Sequence, residues 1–262
     1  MKVTYEYTTH VEFCPAVGQH NILLRCLPAH EPFQRVLQES LQLGEEFWHL
    51  ENVDGLGNRV VSAGTRADHS CLRYTSRGIV SQTVYCIPDA TPHPMYRLPS
   101  ALTSLPPVAP GAADVPSLPS LPPLRGTTLE VIHLIMHVAH DTLEYCPGST
   151  DCRTPLSDVL LRRKGVCQDF AHLMIALCRS AGYPARYVCG LMEGEGQTHA
   201  WVEVHDGQCW YAFDPTNHTA IATGYIKLAH GRDASDCPVS RGTYMGLAAE
   251  STHVKVVVSK MK

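Results

Sequence analysis

The chain has 262 residues, 44% of them hydrophobic and 18% charged, with a formal net charge of −4. That length accommodates two domains, and the composition excludes a disordered polymer and gives no basic footprint for nucleic acid. The 11 cysteines are spread without C-x-x-C or zinc-finger spacing, and no stretch approaches the ~18 apolar residues of a membrane span.

The first residues, "MKVTYEYTTHVEF", alternate like a strand and have no apolar h-region. No secretory leader is therefore expected, and the thiols are expected to be reduced in a cytoplasmic setting. "HNILLRCLP" reads as another strand, and "EEFWHLENVDGLGNRVVSAG" carries turn chemistry at Asp54, Gly55, Gly57 and Asn58 between apolar runs. "SCLRYTSRGIVSQTVY" adds one or two more strands. Residues 1–86 are thus expected to form a β-sandwich domain.

Composition then shifts. Most of the 19 prolines lie between Ile87 and Arg125, where they remove donors and block both helix and ladder formation. Residues 87–126 are expected to be a proline-rich linker, extended or loosely draped.

Helices begin at Thr127, and residues 127–262 are expected to form the second domain. "TTLEVIHLIMHVAHDTLEY" has Leu129, Ile132, Ile135, Met136 and Ala139 at helical spacing. His133, His137 and His140 on the same run are metal-like in spacing, but no acidic or cysteine ligand with matching geometry is evident. We read them as a polar helix face and expect no metal. "TPLSDVLLRRKG" gives a short helix with Thr154 as N-cap, Pro155 at N1 and Gly165 just past the end.

In "GVCQDFAHLMIALCRSAG", Ala171, Leu173, Met174, Leu177 and Cys178 form an apolar stripe and Gly182 closes the helix. Cys167 stands in the first turn, where Ser, Thr, Asp or Asn would cap better. That position offers chemistry instead. The positive end of the helix dipole and its free N–H groups stabilise a thiolate and can hold an oxyanion. Gly165 permits close backbone approach.

A thiolate nucleophile needs an imidazole, and the imidazole needs an orienting group. In "THAWVEVHDGQCWYAFDPT", Asp206-Gly207 is a two-residue hairpin signal. Such a turn sets His205 opposite Gln208, Val202 opposite Tyr211, Ala200 opposite Phe213, and His199 opposite Asp214. The expected catalytic residues are therefore Cys167, His199 and Asp214. His172 has no evident orienting carboxylate, His205 is expected to be solvated at the turn, and Asp169 and Glu203 are read as structural charges.

Three blocks, "RRKGVCQDFAHLMIALCRSAGYPARYV", "THAWVEV" and "WYAFDPTN", resemble the signatures of the transglutaminase-like superfamily, in the right order. In that family the cysteine of G-x-C is the nucleophile, the histidine of H-A-W the base and the aspartate of D-P-T its orienter. These fall on Cys167, His199 and Asp214. "YIKLAHGRDASDCPVSRGTYMG" resembles the bacterial branch more loosely, with Ala234 and Cys237 where an aromatic and an apolar residue are commoner. The β region with "DGLGNRVV" resembles the small β domain that precedes the core in bacterial members.

The resemblance implies an α+β fold. Its core is papain-like, a cysteine-bearing helix on an antiparallel sheet, preceded by the small all-β sandwich. It implies acyl transfer on a peptide, protein or small amide through a thioester, with no metal or organic cofactor and no nucleic-acid or membrane partner. Hydrolysis, as in a protease or amidase, is the expected outcome. Amide-forming transfer uses the same residues, and a binding module that kept the fold is the reading from another class. The intact triad argues against the last.

Overall fold

The computed structural model describes residues 1–105 and 116–261. In chain order, the strands before the first long helix are β1 (Lys2–Leu24), β2 (Gln34–Leu43), β3 (Trp48–Val53), β4 (Arg59–Thr65), β5 (His69–Gln82) and β6 (Ile87–Pro88). Then come α1 (Thr128–Thr142), β7 (Glu144–Tyr145), α2 (Leu156–Arg162), β8 (Lys164–Gly165) and α3 (Cys167–Ser180). The chain continues with β9 (Ala185–Met192), β10 (Gly194–Gly196), β11 (His199–His205), β12 (Cys209–Asp214) and β13 (Thr219–Ala220). It finishes with β14 (Tyr225–Gly231), β15 (Ser240–Met245) and β16 (Ala249–Lys260).

β1 serves two sheets. Its first half lies between β5 and β16, and its second half between β4 and β15. One sheet runs β2-β5-β1-β16-β10 and the other β15-β1-β4-β3. Val3, Tyr5, Tyr7 and Phe13 point inward from β1 by strand alternation and are buried. Tyr7 and Tyr74 meet edge to face across β1 and β5 and share a hydrogen bond of 3.0 Å.

The sandwich was expected to end at residue 86, but it does not close on its own residues. β10, β15 and β16 come from the part of the chain assigned to the second domain. One continuous apolar core runs from Val3 through Ile132 and Leu173 to Val258. The two units are therefore packed together rather than strung on a linker.

A third sheet, β13-β12-β11-β9-β14, is antiparallel, with β6 added beside β12. α3 lies on β9 and β11, and α1 packs against α3. Residues 169–179 of α3 are all buried, as expected for a helix covered on every side. α1 starts at a capping box: Thr127 accepts from the Glu130 amide, and the Glu130 carboxylate accepts from the Thr127 amide.

α2 differs from expectation at both ends. Its N-cap is Pro155 rather than Thr154, and the left-handed residue that ends it is Arg163, with φ of 52°. Thr154 is held instead in a turn with Asp151, its hydroxyl 2.9 Å from the Asp151 carboxylate. Gly165 has a different reason to be glycine: a Cβ there would stand 2.6 Å from the Cβ of Asp169.

The proline-rich segment is only partly a loose connection. Ile87 and Pro88 pair with Trp210 and Cys209, and Tyr96, Ser100, Leu102 and Thr103 are buried. Arg179 at the end of α3 fastens this strap. Its guanidinium donates to the carbonyls of Tyr96, Ala185 and Arg232 and to the hydroxyls of Ser100 and Thr103. Residues 106–115, also part of the expected linker, lie outside the described residues. Arg179→Ala leaves buried acceptors without donors, at about 1–3 kcal/mol each. We expect limited proteolysis to cut that variant first within 96–103, a stretch the parent protects; an unchanged cleavage pattern would show that apolar contacts alone hold the strap.

Among the described residues, no helix is long and apolar enough to cross a membrane.

Candidate active site

Cys167 opens α3, preceded by Val166 as N-cap. The Asp169 carboxylate accepts from the Val166 amide at 2.8 Å and from the Thr150 hydroxyl at 2.6 Å, which locks the turn before the helix. Burial pushes the Asp169 carboxyl above its ordinary range. Among the described residues, the amides of Cys167 and Gln168 have no hydrogen-bond partner, as first-turn donors of a helix do not.

His199 begins β11 and Asp214 ends β12. The hairpin between them is wider than expected. His205 lies opposite Trp210 and Val202 opposite Phe213, a register two residues away from the one a two-residue turn would give. The cause is Asp206, whose carboxylate accepts from the amides of Gln208 and Cys209 and draws residues 206–209 into a loop. A two-residue shift keeps every side chain on its face. Asp214 therefore meets His199 diagonally, with its Oδ2 2.7 Å from Nε2.

The Asp214 carboxylate is fully buried and surrounded by donors. Oδ2 accepts from His199 Nε2–H, from Asn217 Nδ2–H at 2.7 Å and from the Tyr225 hydroxyl at 2.9 Å. Oδ1 accepts from the amides of Thr216 and Asn217. Burial opposes its ionisation, but these bonds outweigh burial and hold the carboxyl below its usual range. With Nε2 committed to Asp214, Nδ1 is the ring nitrogen left for the thiol. Burial pushes the His199 imidazole down, but Asp214 and the Cys167 thiol outweigh it and raise it to about 10. The ring is held between a fixed anion and the cysteine. The structure brings all three expected residues, Cys167, His199 and Asp214, to one place.

Asn217 and Tyr225 were not anticipated. Asn217 sits in the quoted "DPTN" run and could have been suspected as an Asp partner. Tyr225 comes from β14, and only the fold brings it here; its ring also packs edge-on against Trp201 at 5.4 Å.

The other candidates resolve into structural roles. His172 is buried, accepts from the Ala234 amide at 3.1 Å, and is pushed by burial down to about 4, so it stays neutral. His205 is buried rather than solvated: Nε2–H donates to the Asp89 carbonyl and Nδ1 accepts from the Gly207 amide. The added strand β6 and the chain after it cover that corner. Glu203 lies in a buried ion cluster with Arg186, Lys227 and the Tyr85 hydroxyl. On α1, His140 donates to the Pro215 carbonyl and His133 to the Leu129 carbonyl. Among the described residues, no three His, Cys, Asp or Glu side chains are grouped to hold a metal ion.

Residues 124–215 match the transglutaminase-like superfamily core, and residues 3–81 match the bacterial transglutaminase-like N-terminal region. The chain belongs to the transglutaminase-like superfamily. An uncharacterized protein of Mycobacterium leprae is 37% identical over 133 residues, covering 47% of this chain and 47% of that protein. One of Mycobacterium tuberculosis is 38% identical over 130 residues, covering 44% and 41%. The matched stretch thus spans less than half of each of these relatives. A Cytophaga hutchinsonii protein described as a "putative cysteine protease" shares the fold, with a TM-score of 0.79 and 22% identity over 100% of this chain and 92% of that one.

Proposed function

We propose that this chain is a cysteine-dependent acyl-transfer enzyme that cleaves a peptide or carboxamide bond through Cys167, His199 and Asp214. The observation that carries the reading is the Asp214 carboxylate, fixed by donors on both oxygens and bonded to the imidazole that faces the helix-start thiol. The Cytophaga hutchinsonii protein's description as a "putative cysteine protease" is in line with hydrolysis.

The Cys167 sulfur, its proton held on His199, attacks the carbonyl carbon and forms a C–S bond. The carbonyl oxygen becomes an oxyanion next to the free amides at the start of α3. His199 then passes its proton to the departing nitrogen, the C–N bond breaks, and an amine or ammonia leaves. Water attacks the thioester and gives a proton to His199, the C–S bond breaks with Cys167 as the leaving group, and the acid is released with the Cys167–His199 pair and its one shared proton restored. Asp214 orients the ring throughout and stabilises the imidazolium charge.

The test is intact-protein mass spectrometry during turnover of a panel of peptides and simple amides, with and without a primary amine. We expect an acyl adduct on Cys167 and a free acid as product. A product joined to the added amine in preference to water would assign amide-forming transfer instead. Turnover with no adduct on Cys167 would exclude the mechanism.

A further inference from the structure

β3 ends its sheet. It pairs with β4 on one side and with no strand on the other among the described residues. All six of its residues are exposed, Trp48 by 56%, Leu50 by 62% and Val53 by 68%. Two other edges of the sandwich are guarded. β2 is broken by a bulge between Val36 and Gln38, and β10 is three residues long with a glycine at each end. β3 has no bulge, proline or lysine. A regular edge of this kind, with exposed apolar side chains, is a template for another strand.

Hydrogen-bond phase decides which of its groups are free. The Asp54 amide donates to the Asn58 carbonyl at 2.9 Å, so residues 54 and 58 form a hydrogen-bonded pair. Such pairs alternate along an antiparallel ladder. In the register of β3 with β4, Asn52, Leu50 and Trp48 then spend their amides and carbonyls on β4. His49, Glu51 and Val53 point theirs outward.

The geometry points to a second copy of this chain as the missing strand, with β3 against β3, antiparallel, about a two-fold axis through Leu50. The two longest registers that match outward groups to outward groups are centred on Leu50 and on Glu51. Centring on Glu51 sets two carboxylates face to face. Centring on Leu50 sets His49 opposite Glu51 of the second copy, twice by symmetry, Leu50 opposite Leu50, and Trp48 opposite Asn52. The short run His49-Leu50-Glu51 is complementary to itself. Each His49–Glu51 pair exchanges main-chain hydrogen bonds while its side chains bond as imidazole and carboxylate. On the other face the two Leu50 side chains meet, with the Trp48 rings on the diagonals. Glu51 also accepts from Arg59 at 2.9 Å, and Arg59 keeps Glu39 as a partner when Glu51 turns to the second copy. A single strand pair with these side chains is a small interface, of the concentration-dependent class.

The experiment is sedimentation velocity of the whole protein over a wide concentration range, with thermal unfolding to confirm that each variant is folded. We expect a monomer–dimer equilibrium for the parent. His49→Glu places carboxylates opposite Glu51 at both contacts and is expected to weaken the dimer about tenfold or more. The exchange His49→Glu with Glu51→His restores complementarity in the same register and is expected to restore the dimer. A parent that stays monomeric, a His49→Glu variant that associates like the parent, or a folded exchange variant that stays monomeric would each overturn the proposal. A dimer insensitive to these changes would place the contact on another face.

Discussion

Cys167→Ala folds as the parent does and loses turnover almost completely: that is the expected result of removing the sulfur. Cys167 is only half-buried, at the first turn of a helix whose packing is carried by Phe170, Ala171, Leu173, Met174 and Leu177. Deleting its sulfur opens no large cavity and breaks no hydrogen bond that holds the fold. In a well-studied serine triad, removing the nucleophile alone costs ~10⁶ in turnover, about as much as removing the whole triad. A loss of that order is expected here, with the thermal unfolding midpoint little changed. Undiminished turnover of a substrate used by the parent would end the case for Cys167 as nucleophile.

His199→Ala and Asp214→Asn are expected to fail to add. In the serine triad the Asp→Asn change costs ~10⁴ because the ring takes the wrong tautomer. Cysteine ionises more readily than serine, so Asp214→Asn is expected to cost less than His199→Ala. The surroundings of Asp214 sharpen this. Donors face both of its oxygens, three on Oδ2 and two backbone amides on Oδ1. An asparagine must turn its NH2 toward one of those sets, and thermal unfolding should register the conflict. Turnover of the two single variants and the double variant on one substrate decides the coupling. Once the base is gone its orienter has nothing to orient, so the double variant should match His199→Ala. Full additivity would mean that the two residues act independently.

Much of the site could be read from the residues alone, because its signals are local. A cysteine in the first turn of a helix, and a histidine and an aspartate on adjacent strands, need only helix and strand periodicity. The hairpin shows why the reading survived a wrong turn. Asp206 widened the loop by capping two amides, and the register moved by two. An odd shift would have sent His199 and Asp214 to opposite faces. What could not be read is non-local. Tyr225 reaches Asp214 only because β14 borders β9. His205 is buried only because a proline-rich strand crosses its corner. That strap looked like a linker because proline density speaks of missing backbone donors. It says nothing of a distant arginine, Arg179, that supplies donors of its own.

The sharing of β1 between the two sheets also sets the order in which the molecule can be assembled. Val3 pairs with Lys260 and Cys14 with Ala249, so β1 waits for a strand that the ribosome makes long after it. Until then β1 can pair with β5 and β4, but the side that takes β16 is open. Pairings this distant in sequence carry high loop-closure entropy and belong to slow-folding topologies. The helix that begins at Cys167 and its sheet, built from nearer neighbours, are free to form while β1 still waits. β10, which follows β9 directly, reaches across to pair with β16. The arrival of β16 therefore finishes the sandwich and ties it to the sheet that carries His199 and Asp214 in one event. Vectorial synthesis leaves this β1 edge exposed until β16 emerges, and there a growing chain has need of a chaperone.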